Sequence, residues 1–348
     1  MIIPDVSIDT WRKLYPAAEK FRKLEPWNYL FDDILFAVRE PTTGQTYYCS
    51  VLGALGEVFA LFAYIGSEGY DSWKQMHFDD LDDDYRADLM VTQNILMVEF
   101  VNKRELEKPD IATIKNLALK IKGRNAHPCF RSMIPGCPPW HVNESEAQAL
   151  ISILHCASLF TVERKKNPEK AEEGADGLLV YLPGSDISPD SPVPTIFERP
   201  ETKTKKSPPK IIEVDPFTLK ALKDAKSSMG LVWEADAFFN LGTTVGDRDR
   251  PYWPRMVVVA DHASGFLFNL EMVGPEVDTY EAIARILFET IKKYGQKPSE
   301  LHIRDADFSK ALAPIAKEFG ILIKVKKRLP AILMIKDHLS RNFHPESI

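Results

Sequence analysis

The last third of the chain alternates between strand-like and helix-like segments in an order that few folds accommodate. Strand patterns occupy 230–239, 256–261, 266–273, 301–304 and 321–325, and amphipathic helix patterns occupy 277–294, 308–319 and 330–339. Turn residues at 262–265 join the second and third strands into a hairpin. The order βββαβαβα, with helical crossovers to the last two strands, predicts an α/β fold with a mixed five-stranded sheet in the order 3-2-1-4-5.

Three short motifs stand in these predicted strands. They are Trp233-Glu234-Ala235-Asp236, then Val257–Asp261 with Ser264-Gly265, and then Lys297-Pro298 through His302-Ile303-Arg304-Asp305 with Phe308. Together they resemble the W-x-x-D strand, the hairpin and the second-aspartate strand of retroviral-integrase and transposase catalytic cores. That family has a ribonuclease H-like fold, and the resemblance covers residues 228–340.

The resemblance implies a candidate catalytic site made of carboxylates. Asp236 and Asp305 correspond to the family's first two metal ligands, and Asp337 on the last helix is the candidate for the third. Such a site holds two divalent cations, Mg²⁺ or Mn²⁺, which clamp the attacking and leaving oxygens of a phosphodiester. The sequence departs from the family because its third acid is aspartate rather than glutamate. It also has Asp307 where a glycine is usual, and no zinc-binding or helix-turn-helix module is evident upstream.

Each of these residues also has a purely structural interpretation. Asp305 precedes a predicted helix, where aspartate is a common N-cap. Asp236 could be a strand residue on a hydrogen-bonded face. The basic segment Lys324–Arg328 is typical of a protected edge strand, and contact with nucleic-acid phosphates is the alternative.

The rest of the chain predicts an N-terminal α+β domain over 1–165 and a linker over 166–209, before the ribonuclease H-like domain over 210–348. Lysine, glutamate, serine and proline dominate the linker, although 178–182 and 193–197 could be short strands. Segments at 27–32, 41–44, 51–53 and 64–66 resemble uncharacterised bacterial proteins that pair an N-terminal domain of unknown function with this kind of C-terminal domain.

Two further clusters contain residues that can bind cations. His127, Cys129, Cys137 and His141 could bind zinc, but they lack a short C-x2-4-C spacing and stand among prolines, which favours an ordered loop. The acidic run at 79–84 lacks the glycine and distal glutamate of an EF-hand and is typical of a solvated loop. Arg124, Arg131 and Trp140 could line an anion pocket, with surface packing as the alternative.

Composition limits the class of protein. Residues 210–348 carry 20 basic and 19 acidic side chains, and the whole chain has a net charge of -6, so nucleic acid as a partner is not supported by net charge. Four scattered cysteines favour a reducing compartment, and the chain begins without a secretory pattern. The apolar stretch at 51–65 is too short and glycine-rich to span a membrane. We therefore expect a cytoplasmic protein.

The sequence supports two hypotheses about function. The first is a non-catalytic or degenerate ribonuclease H-like protein that acts through binding. The second is a metal-dependent nuclease or strand-transfer enzyme that uses Asp236, Asp305 and Asp337, with Mg²⁺ or Mn²⁺ at Asp236 and Asp305. The geometry of these carboxylates discriminates between the two.

Overall fold

Two compact units, divided near residue 203, make up the protein. The computed structural model describes residues 5–40, 43–78, 83–166, 179–181, 195–197, 212–246 and 250–342. Each unit is built on its own β-sheet. The mixture of helices and sheets confirms the α/β class that the sequence predicts.

An eight-stranded sheet forms the N-terminal unit. Its strands are β1 (Phe36–Arg39), β2 (Thr46–Leu52), β3 (Ala60–Ile65), β4 (Ile95–Val101), β5 (His127–Met133), β6 (Trp140–His141), β7 (Leu179–Tyr181) and β8 (Thr195–Phe197). They lie in the order β6-β5-β4-β3-β2-β1-β7-β8. The segments predicted as short strands at 178–182 and 193–197 therefore contain strands, and these extend this sheet. Most of the predicted linker otherwise lies outside the described residues.

Helices cover the N-terminal sheet. They are α1 (Ile8–Lys23), α2 (Gly66–Phe78), α3 (Asp83–Val91), α4 (Lys108–Asn116) and α5 (Glu144–Lys166). Asn143 and Glu146 exchange backbone-to-side-chain hydrogen bonds of 2.9 and 2.8 Å, so a capping box begins α5. By length and composition α5 could cross a bilayer, but 56% of its most apolar window is buried, as in the core helix of a globular unit.

The C-terminal unit has the predicted element order and sheet. Its elements are α6 (Pro216–Asp224), β9 (Lys226–Phe239), β10 (Arg255–Asp261), β11 (Leu267–Val273), α7 (Thr279–Tyr294), β12 (Gln296–Ile303), α8 (Ala306–Glu318), β13 (Leu322–Val325) and α9 (Pro330–Asn342). The strands lie in the order β11-β10-β9-β12-β13, which confirms the order 3-2-1-4-5. β9 is central, antiparallel to β10 and parallel to β12.

The two faces of this sheet pack against different helices because strand side chains alternate in direction. Trp233 and Ala235 of β9 join a core with α7 and α8. Phe238 of β9 joins a second core with Ile332 and Ile335 of α9. From Trp233 to Phe238, even-numbered residues of β9 therefore face α9, and odd-numbered residues face α7 and α8.

Strands β9 and β12 are longer than their sequence patterns predict. β9 begins at Lys226 rather than at 230, and β12 begins at Gln296 rather than at 301. The added segments pair with each other in parallel, Gln296 with Lys226 and Pro298 with Ser228. The added segments contain polar residues and a proline, which do not give a strand pattern. Their pairing joins segments about 70 residues apart, so it also leaves no local pattern in the sequence.

Candidate functional site

Asp236, the first predicted metal ligand, is paired with an arginine side chain from the neighbouring strand segment. It is 8% exposed, and its carboxylate forms an ion pair with the guanidinium of Arg304. Arg304 directly follows β12, whose His302 pairs with Glu234 of β9. Continuation of that register places Arg304 beside Asp236. A permanent positive charge thus lies at the carboxylate that the resemblance assigns to a metal ion.

Asp305, the second predicted ligand, caps a helix. Its Oδ1 accepts hydrogen bonds from the backbone N–H groups of Asp307 at 2.7 Å and Phe308 at 2.8 Å, as an N-cap does for α8. Its Oδ2 accepts a hydrogen bond of 2.9 Å from the Tyr280 hydroxyl. Burial, together with this bond, raises the pKa of Tyr280, so the hydroxyl remains a donor. These partners belong to α7 and α8, on the face opposite to the one that Asp236 occupies.

Asp337, the third candidate, lies on an exposed position of α9. Within the described part of the chain, the three aspartates do not form a group whose ligand atoms converge on a cation-sized site. The metal role of these carboxylates stays a prediction, which the contacts of Asp236 and Asp305 do not favour.

A different group does converge. One ligand atom from each of Glu234, His262 and His302 lies within 4.8 Å of the others, and we call this group the Glu234 cluster. Glu234 stands on the central strand β9, and His302 is its register partner on β12. His262 follows β10 directly, and its backbone N–H donates to Val232 of β9 at 3.0 Å. Three neighbouring strands thus position the cluster.

The Glu234 carboxylate is fully buried, and both of its oxygens are used. Oε1 lies 2.5 Å from Nδ1 of His262. Oε2 accepts a hydrogen bond of 3.1 Å from the backbone N–H of Ile332. This N–H belongs to the first turn of α9, where backbone donors have no partner within the helix and the helix dipole favours a negative charge. Glu234 therefore ties the start of α9 to the centre of the sheet.

His302 has a carboxylate of its own. Its Nε2 contacts Glu300, two residues earlier on β12, and the Nζ of Lys324 on β13 lies 2.6 Å from the other oxygen of Glu300. The hydrogen bond from Lys324, with that from His302, lowers the pKa of Glu300. An ionised carboxylate can only accept, so Nε2 of His302 carries a proton, and a neutral His302 has its lone pair on Nδ1.

The imidazole rings of His262 and His302 lie close together, with centroids 4.9 Å apart. His302 is 6% exposed, whereas the side chain of His262 is 37% exposed. The Glu234 cluster therefore combines a buried carboxylate, a buried imidazole and an imidazole that reaches solvent. Such a set can transfer a proton or bind a cation that accepts nitrogen and oxygen ligands.

The Glu234 cluster could not be predicted from the sequence, although its residues lie in or beside the three motifs that resemble the integrase and transposase cores. Glu234 lies two residues before Asp236, and His302 lies two residues before Arg304. Because side chains alternate along a strand, the two residues of each pair lie on the same face. This shared face is the only indication of the Glu234 cluster that the sequence gives. The approach of His262 depends on the path of the turn after β10, and the sequence does not encode it locally.

The candidate residues of the N-terminal unit serve its packing. The guanidinium of Arg131 makes two hydrogen bonds with Asp110, of 2.9 and 2.7 Å, and both residues are buried. Arg131 is therefore not the wall of an open anion pocket. Cys129 packs with Val101 and Leu106. Among the described residues, the ligand atoms of the four predicted zinc ligands do not converge on a site that could hold one metal ion.

The acidic run at 79–84 is described only in part. Residues 79–82 lie outside the described residues, and Asp83 begins α3.

Two family models match the chain, and both are domains of unknown function. The model described as Domain of unknown function (DUF7309) matches residues 11–181, and the model described as Domain of unknown function (DUF6930) matches residues 218–340. No curated protein matches the chain. The two matches support an uncharacterised family with two domains.

Proposed function

We propose that the protein acts through binding, and that its C-terminal unit is a non-catalytic domain of the ribonuclease H-like type. The sheet order, with its W-x-x-D strand at the centre, supports the likeness in architecture. The observation that carries the non-catalytic assignment is the ion pair between Asp236 and Arg304.

A two-metal phosphodiesterase needs carboxylates that share a dication between them. Arg304 repels a second positive charge at Asp236, and its guanidinium cannot lose its proton to relieve that repulsion. Asp305 would have to release two backbone N–H groups of α8 before it could coordinate a metal ion. Both contacts therefore oppose the binding of Mg²⁺ at these positions.

The alternative is a metal-dependent nuclease or strand-transfer enzyme that acquires its site by rearrangement. It would have to break the Asp236–Arg304 pair and bring Asp337 toward both other acids. The near-neutral charge of residues 210–348 also gives little electrostatic attraction for a long nucleic acid. We expect a partner whose recognition does not depend on a broad basic surface, and we expect binding in the cytoplasm.

Cleavage assays on full-length protein test this proposal. Labelled single- and double-stranded DNA and RNA are incubated with Mg²⁺ or Mn²⁺, and we expect no cleavage above that of a metal-free control. Asp305→Asn is the diagnostic variant, and Asp307→Asn is the matched control because Asp307 is an exposed neighbour in the first turn of α8. Cleavage by the wild type that disappears in Asp305→Asn and persists in Asp307→Asn would overturn the proposal.

A further inference from the structure

Glu234 places a carboxyl group in the protein interior, without contact to solvent. A buried carboxylate is stable when it is paired, hydrogen-bonded or bound to a metal ion. One oxygen is satisfied by the N–H of Ile332, and the other faces His262 at 2.5 Å. Either a hydrogen bond from His262 or a metal cation can satisfy this second oxygen, and the position of His302 favours the cation.

His302 is not needed to pair Glu234 with His262, yet it brings a second imidazole to the same place. Its ligand atom lies within 4.8 Å of those of Glu234 and His262. Glu300 fixes the tautomer of His302 and leaves Nδ1 as the nitrogen with a lone pair. A histidine that donates one N–H to a carboxylate is the usual arrangement of a metal-binding imidazole.

We infer that the Glu234 cluster binds one first-row divalent transition-metal ion, with two imidazoles and one carboxylate oxygen as protein ligands. Oε1 of Glu234 binds the ion while Oε2 keeps its hydrogen bond to Ile332, so the carboxylate coordinates through one oxygen. The exposed side of His262 leaves a remaining position for water. Nitrogen-rich ligand sets of this kind suit Zn²⁺, Co²⁺ or Fe²⁺ and disfavour Mg²⁺, which prefers oxygen.

The cluster needs a small adjustment to receive the ion. Ligands about 2.1 Å from a tetrahedral ion are about 3.4 Å apart. The contact of 2.5 Å between Glu234 and His262 must therefore open. His262 can make this movement because its side chain is partly exposed and follows the end of β10, whereas Glu234 and His302 are held inside strands. The cation replaces the hydrogen bond between Glu234 and His262, and the proton of that bond passes to Nε2 of His262 or to solvent.

The first test is a titration of tag-free, full-length, metal-stripped protein with Zn²⁺ and with Co²⁺. We expect the protein to bind one equivalent of either ion, and we expect the bound Co²⁺ to show the visible absorption of a low-coordinate ion. Millimolar Mg²⁺ should not displace the bound ion. X-ray absorption of the Zn²⁺-loaded wild type should show imidazole nitrogen and oxygen ligands. A folded wild type that binds no equivalent of Zn²⁺, or a spectrum with sulfur ligands, would overturn the assignment.

Variants identify the ligands. His262→Ala should weaken Zn²⁺ binding at least about 100-fold, since loss of an outer hydrogen-bond partner alone costs roughly 10–100-fold. Glu300→Gln, which leaves every ligand in place, should weaken binding by that smaller factor. His338→Ala is the matched control because His338 is exposed on α9 of the same unit. Unchanged affinity in a folded His262→Ala protein would refute the site, and a loss in His338→Ala equal to that in His262→Ala would do the same.

Discussion

Asp236 of β9 and Arg304, the residue after β12, form an ion pair between parallel neighbouring strands. Their side chains are 11% and 20% exposed, so solvent screens the pair only in part. The carboxylate that the sequence motif marks as a metal ligand is thereby neutralised by a group that cannot be deprotonated. The ion pair connects the central strand β9 to its sheet neighbour β12. It is therefore a structural contact, and it also opposes the binding of a metal cation at Asp236.

Arg304→Ala should lower the free energy of unfolding of the C-terminal unit by about 2–3 kcal/mol. Removal of one partner leaves the other charge in a poorly solvated place, and fully buried pairs lose more than this. Chemical denaturation followed by circular dichroism measures the change. Arg285→Ala is the control, since its pair with Glu271 is more exposed and should contribute less than about 1 kcal/mol. Equal losses in the two variants would show that the Asp236–Arg304 pair has no special structural role.

Asp305→Ala should destabilise the protein by about 1 kcal/mol, whereas Asp305→Asn should have a much smaller effect. Asparagine retains an oxygen that accepts from the N–H groups at the start of α8, and alanine does not. Thermal unfolding measures the stability lost in each variant. Asp307→Ala, in the same helical turn, is the control. If asparagine is as destabilising as alanine, the negative charge of Asp305 matters more than the cap.

All four cysteines should resist modification in the folded protein. Cys49, Cys129, Cys137 and Cys156 are free and buried. Burial raises the pKa of Cys129 and of Cys156 to about 12, so little of the reactive thiolate forms at pH 8. A chromogenic disulfide reagent should therefore react much more slowly with native protein than with protein in urea, where four equivalents are expected.

The cysteine prediction fails if one thiol reacts at the rate of an unfolded chain. Cys137→Ser identifies such a thiol, because Cys137 follows β5 in a loop while Cys49 and Cys129 lie inside strands.

The topology of the C-terminal sheet could be predicted because its signals are local. A hairpin pairs consecutive strands, and right-handed helical crossovers restrict where strands β12 and β13 can join. The N-cap role of Asp305 was a local signal of the same kind, since it depends on residues within three positions. Each of these features uses a short stretch of chain.

The partners of the buried acids could not be predicted, since they depend on register between distant segments. Asp236 and Arg304 are 68 positions apart, and so are Glu234 and its register partner His302. Moving the parallel pairing by one residue would reverse the direction of every side chain on one strand relative to the other. The sequence marks which residues share a face of one strand, and the register between β9 and β12 decides which neighbour each one meets.

Stability of the N-terminal unit should depend on pH through Glu144. The side chain accepts hydrogen bonds from the Thr10 hydroxyl at 2.6 Å and the Ser7 backbone N–H at 2.8 Å, and so joins the first turn of α1 to that of α5. These bonds, that from Thr10 above all, hold the pKa of Glu144 below its usual 4.5. A pKa lower in the folded state contributes stability above pH 4.5 that is lost as the pH falls through the folded value.

Glu144→Gln should therefore be less stable than the wild type at pH 7, and the difference should shrink as the pH falls from 4.5 through the lower pKa of the folded state, where the wild-type side chain also loses its negative charge. Urea denaturation at a series of pH values from 7 to 3.5 measures both curves. Glu57→Gln, exposed in the turn between β2 and β3, is the matched control and should follow the wild type throughout. A Glu144→Gln deficit that stays constant across this range would mean that the amide disturbs packing between α1 and α5, and that the charge of Glu144 does not contribute.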